Sequence, residues 1–190
     1  MLVLGHVGVS LGAVWAFSSA ARLIAPDPKE GDTDASSRGH PLRSPDFRMV
    51  VVGSMLPDII DKPVWLLWAL GDGRFPFHTL AFQALLIAVG LVLWWRYRWI
   101  AIWGLGMGSL LHTLEDEMWG NPDSYLWPVY GWAFPEESTT GFVPLLVRGL
   151  LHAPRVYVPE VAGAIIIIVF AAIVVRRRRV GSFIRYGTMW

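Results

Sequence analysis

Six ionisable residues sit inside or at the ends of apolar segments: His6 near the start of the chain, Asp58 and Asp61 in GSMLPDIIDKP, His78 in FPFHTL, and His112 and Asp116 in LLHTLED. A charge at membrane depth costs roughly 2.5–3.5 kcal/mol even on lenient insertion scales, so such groups must pair with one another or ligate an ion. His112 and Asp116 are four residues apart and Asp58 and Asp61 three apart, spacings that put each pair on one helix face. Imidazole nitrogen with carboxylate oxygen suits Zn, Mn or Fe, whereas an all-oxygen shell favours Mg or Ca. With no Cys in the chain, thiolate ligands and cysteine nucleophiles are excluded. Three His and three Asp fit either one metal with outer carboxylates or a two-metal site. In both, the chemistry is attack by an acidified water on a polarised phosphoryl or carbonyl centre. Each piece alone has a plainer explanation. A lone His in an apolar helix, such as His6, is commonly a packing residue; His112 and Asp116 form a structural hydrogen bond; Asp58 and Asp61 cap a helix that starts or breaks at Pro57.

The elements that position these residues follow from composition. The chain has 190 residues, 54% of them hydrophobic, with 11 Trp, which is too apolar for an ordinary soluble domain. It reads as an all-α polytopic membrane bundle, a single integral membrane domain over 1–190. Five spans of about 20 residues are expected: Leu2–Ala25, Met49–Leu70, His78–Trp95, Trp99–Met118 and Val161–Val175. The first lacks a basic n-region and a small-residue cleavage site, so it reads as a retained span. Pro26–Phe47, rich in Pro, Ser, Asp and Gly, reads as a solvated linker, and Trp119–Glu160 as a second long connection.

Basic residues orient the bundle. With a cytoplasmic C-terminus, twelve of the 16 Lys and Arg fall inside, Arg176–Arg179 among them, and only Lys62, Arg74, Arg148 and Arg155 fall outside. That places the N-terminus outside a plasma membrane and all six candidate ligands in the outer half. Four separate coincidences at one depth favour a metal site over the plainer explanations. Within the second connection, FVPLLVRGLLHAPRVYVPE reads as an amphipathic helix in the outer interface. Its Arg148 and Arg155 either snorkel to the headgroups or, with His152, hold a substrate phosphate over the metal. Trp119, Trp127 and Trp132 read as an aromatic belt. Glu115 and Glu117, flanking Asp116, read most simply as solvated charges, although Glu115 is also three residues from His112 and could act as a general base.

At these positions the chain resembles the predicted membrane-bound, inner-membrane metal-dependent hydrolase family. The family's motifs are an N-terminal His in the first span, Pro-Asp-x-Asp, His-Arg-x-x-Thr-His-Ser, and Gly-x-x-x-His-x-x-x-Asp followed by Trp-Pro. Here they stand as His6, GSMLPDIIDKP, GRFPFHTL and GSLLHTLEDEMWGNPDSYLWPVYGW, from the N-terminus to about Trp132. Residues 1–132 thus form a family-like core, 133–160 an outer loop with the interfacial helix, and 161–190 the last span and basic tail. Two departures matter: the acid pair is one residue wider than the common form, and Gly73 replaces the first His of the His-Arg motif. One ligand or acid/base group is then missing, or is supplied by Asp72 or Glu115. The Ile-Ile-Asp-Lys-Pro and Asp-x-Met-Trp variants resemble an archaeal branch.

The resemblance and the residues together imply a metal-dependent hydrolase with His6, Asp58, His78, His112 and Asp116 as ligands, of Zn first, then Mn or Fe. Asp61 or Glu115 would accept the proton of the attacking water, and Arg74 with Arg148 would stabilise a phosphate. The expected substrate is a lipid or polyprenyl phosphoester at the outer leaflet. Membrane lipid is the expected partner and nucleic acid is not; a homo-oligomer is compatible. Two rivals use the same residues: a metal or proton transporter, which needs polar groups continuing inward, and a structural metal with a closed four-ligand shell. A peptidase would need His-Glu-x-x-His, which is absent.

Overall fold

The computed structural model describes residues 1–24, 45–68, 73–97, 99–133 and 142–189. Most of the Pro26–Phe47 linker, and Asp72, lie outside the described residues. The chain is all-helical among them. Helix α1 runs Val3–Ile24, α2 Phe47–Trp68, α3 Leu80–Tyr97 and α4 Ala101–Glu115. A 3-10 turn at Met118–Gly120 and the single turn α5 (Pro122–Tyr125) follow, then α6 (Phe142–His152), α7 (Pro154–Arg176) and α8 (Val180–Tyr186). Helices α1, α3 and α7 are long and apolar enough to cross a membrane. Their apolar residues lie on all faces, as expected where lipid replaces water around the helix.

Helix α2 matches α1 in length at 22 residues, but Asp58, Asp61 and Lys62 interrupt its apolar run. Helix α4 has 15 residues, about 22 Å at 1.5 Å per residue, short of the roughly 30 Å hydrocarbon core. Two sequence expectations need correcting. Helix α7 begins at Pro154 rather than Val161, because a proline at the first helical position removes a donor that would be unpaired anyway. Pro57 neither starts nor breaks α2, which continues through Pro57 and Pro63 while packed along α4.

The packing is close because small residues meet backbone. A Cβ on Gly53 would lie 2.1 Å from the Leu105 carbonyl oxygen, and one on Gly108 2.2 Å from that of Val50, so α2 and α4 touch backbone to backbone. Gly8 and Gly163 do the same for α1 and α7, where a Gly8 Cβ would lie 2.2 Å from the Gly163 oxygen. One end of the bundle is apolar, built from Leu11, Val14, Phe47, Val50, Phe170 and Val174, with Met189 of the returning C-terminal segment tucked beneath. There the Phe47 amide donates to the Gly187 carbonyl at 2.9 Å. Asp46 is also buried there, paired with Arg48 at 2.7 Å, and the other end carries His6, Asp58, Asp61, His78 and His112, all buried. Helix α6 is amphipathic, packs chiefly on α7 and leaves most of its residues exposed, as expected of an interfacial helix.

Candidate metal centre

His78 lies on the turn preceding α3 rather than in the helix, and a buried carboxylate fixes it there. Asp61 accepts from the Phe77 and His78 amides at 2.9 and 3.1 Å and lies 2.7 Å from His78 Nδ1. A carboxylate is acceptor-only, so Nδ1 carries the proton and Nε2 presents a lone pair. On α4, His112 Nδ1 donates to the Ser54 carbonyl of α2 at 2.6 Å, and its Nε2 is bare for the same reason. These two Nε2 atoms stand 3.1 Å apart. Two lone pairs at that distance make no hydrogen bond; they are placed so that one cation could bind between them.

Asp58 Oδ1 completes the convergence, 3.4 Å from His78 Nε2 and 3.6 Å from His112 Nε2, buried and without a hydrogen-bond partner. Asp116 Oδ2, one turn beyond His112, lies 3.7 Å from His112 Nε2. The four ligand atoms fall within 4.8 Å of one another. Ligands at about 2.05 Å in a tetrahedron are about 3.3 Å apart, so the spacing and the N2O2 donor set fit one divalent transition metal.

His6, expected as a ligand, lies next to this four-atom group and outside it. Its ring stacks on His112 at 4.0 Å, Nδ1 is 2.9 Å from Glu115 Oε2, and Nε2, buried and without a hydrogen-bond partner, lies 3.1 Å from Asp116 Oδ1. Through Nδ1 it holds Glu115, to which Ser10 also donates at 2.8 Å. Asp61, expected as a proton acceptor, is fully buried behind His78, with its oxygens taken by His78 and the turn. Glu115 is the one of the two that reaches the open side.

That open side is a cavity of about 480 Å³ whose lining includes Asp58, His78, Glu115, Asp116, Lys62, Arg74 and Arg155. Helix α6 roofs it with Leu145, Leu146 and Gly149, which turns Arg148 to the exposed flank; Arg148 and His152 are not among the lining residues. Of the residues expected to hold a phosphate, Arg155 and Arg74 line the cavity, and Arg148 and His152 lie on the exposed side of α6. Gly73, which replaces the motif His, has φ +77° and a Cβ position 3.0 Å from the Trp65 ring. A left-handed backbone pressed on an indole has no room for a second imidazole.

Sequence reasoning missed three contributors. Lys62 binds Asp58 Oδ2 one helical turn away, a pair its i, i+4 spacing announced. The Ser54 carbonyl and buried Glu160 had no such signal. Glu160 accepts from the Leu2, Leu4 and Gly5 amides at 2.7, 2.9 and 3.0 Å, fixing the start of α1 and thereby His6.

No curated protein and no solved structure matches the chain. A family model does, over residues 1–180, and its apolar helices agree with a membrane location. The chain belongs to the YdjM inner membrane protein family.

Proposed function

We propose that this protein is a membrane-embedded, metal-dependent hydrolase acting on a lipid or polyprenyl phosphoester at the outer leaflet. The observation that carries the reading is the convergence of two bare imidazole Nε2 atoms and an unpartnered Asp58 oxygen on one point at the floor of an open cavity. His78, His112, Asp58 and Asp116 hold the metal, Zn by donor set. A divalent ion held there polarises a phosphoryl oxygen and lowers the pKa of a water. Glu115, kept in place by His6 and Ser10, accepts the proton of the attacking water, and Asp61 holds His78 in the ligating tautomer.

In this reading α2 and α4 also cross the bilayer, giving five spans in one domain with the N-terminus outside. The short α4 suits an element whose C-terminal end meets a solvated cavity at headgroup depth. Transport is disfavoured by the apolar cluster of Leu11, Val14, Phe47, Val50, Phe170 and Val174 at the end of the bundle away from the site. A structural metal is the second reading, favoured by the four protein donors. The partly exposed Asp116 and the cavity against it argue for a site that admits substrate. The test is release of alcohol or phosphate from a panel of lipid phosphoesters by purified, metal-assayed protein. Turnover lost with chelator and with Glu115→Gln, while metal stays bound in the variant, supports hydrolysis. Stoichiometric metal with no turnover on any phosphoester leaves the structural reading.

A further inference from the structure

Three cationic side chains surround the metal ligands from three different elements. Lys62 extends from α2, where its ammonium already binds Asp58 Oδ2. Arg74 stands on the turn that carries His78, next to Gly73 pressed on Trp65. Arg155 comes from the first turn of α7 at the cavity rim. With a divalent ion they outweigh the four carboxylates that share the cavity, Asp58, Glu115, Asp116 and Glu117, so the loaded site attracts an anion. Leu145, Leu146 and Val156 form an apolar wall on the side of the amphipathic helix.

We infer that Lys62, Arg74 and Arg155 form an oxyanion subsite that takes the terminal phosphate of a membrane amphiphile, a phosphomonoester, with its hydrocarbon against α6. The inference rests on the hydrolase reading above. Three cations suit the more highly charged ester. A phosphomonoester carries up to two negative charges on three non-bridging oxygens, a diester one charge on two, so the monoester offers more to the fork and point charges that Arg and Lys supply. Lys62, shared between Asp58 and the incoming phosphate, ties metal geometry to substrate arrival. Hydrolysis joins the water oxygen to phosphorus and breaks the bond to the alcohol oxygen. One water proton passes through Glu115 to the alcohol, and the other stays on the released phosphate.

The experiment is equilibrium dialysis of radiolabelled inorganic phosphate against zinc-loaded protein in phosphatidylcholine nanodiscs, with zinc measured on the same samples. Lys62→Met, Arg74→Met and Arg155→Met should each weaken phosphate binding about tenfold or more with zinc retained. Arg148→Met, on the exposed flank, should leave it unchanged, and Lys62→Arg should keep most of it. Where Lys62→Met loses zinc, Lys62→Arg and Arg155→Met decide. In competition arms, phosphatidic acid in the disc should displace the label best, soluble glycerol phosphate less well for want of a tail, and phosphatidylglycerol least. Unchanged affinity in the three variants, or phosphatidylglycerol competing as well as phosphatidic acid, overturns the inference. Phosphate held by these cations but no ester cleaved in any arm would keep the subsite and remove the hydrolase reading instead.

Discussion

Asp61→Asn separates a positioning role from a proton-accepting one. One carboxylate oxygen, Oδ2, takes the Phe77 and His78 amides at 2.9 and 3.1 Å and lies 2.7 Å from His78 Nδ1, so an Asn oxygen placed there keeps both the turn and the Nδ1–H tautomer. What is lost is the charge behind the imidazole, which makes Nε2 a poorer donor to a metal. A hydrogen bond to a charged group contributes about 1.5–3 kcal/mol and a neutral one about 0.5–1.5 kcal/mol, and about 1.4 kcal/mol is a tenfold change in affinity. Zinc affinity should therefore fall roughly tenfold. The assay is competition with a chromogenic chelator in detergent, with circular dichroism as the folding control. A proton-accepting Asp61 gives the opposite pattern, zinc affinity intact and turnover gone. Unchanged zinc affinity in a folded variant would refute the positioning role of Asp61.

His112→Ala or Asp116→Ala should remove most of the metal from purified protein and His6→Ala less, since His6 lies beside the four-atom group rather than within it; stoichiometric metal in the first two variants would sink the site. For topology, Gly120 and Gly181 have open space where a Cβ would stand and the chain has no Cys. Gly120→Cys should react with an impermeant thiol reagent in intact cells and Gly181→Cys only after permeabilisation, and the reverse pattern would put the site on the cytoplasmic side. Gly8→Ala should lower thermal stability by about 1–3 kcal/mol or more, because its Cβ would fall 2.2 Å from the Gly163 oxygen; an unshifted melting curve would mean that α1 and α7 do not meet there.

Much of the helical order was legible because it is local. Apolar runs of span length located α1, α3 and α7, and the amphipathic pattern of FVPLLVRGLLH located α6. The start of α7 was misplaced because PRVYVPE read as the end of the interfacial helix, whereas α6 stops at His152 and Pro154 opens α7. Pro57 misled for a related reason: proline reads as a boundary, and only the neighbouring α4 lets α2 run through it.

In the site, residue types and their spacing on single helices determined the donor set: His112 with Asp116, and Asp58 near Asp61, both readable because a helix repeats every few residues. Only the tertiary structure decided how the members divide the work. Which nitrogen of His78 and His112 is bare depends on Asp61 and on the Ser54 carbonyl, contacts made across different elements. His6 stands beside the four-atom group, with Nδ1 on Glu115, because Glu160 and the Gly8–Gly163 contact set the depth of α1. Arg148 turned away from the cavity and Lys62 toward it because of how α6 and α2 pack. Spacing along one helix is fixed by backbone geometry, whereas a side chain's partner across the bundle exists only once the helices have packed.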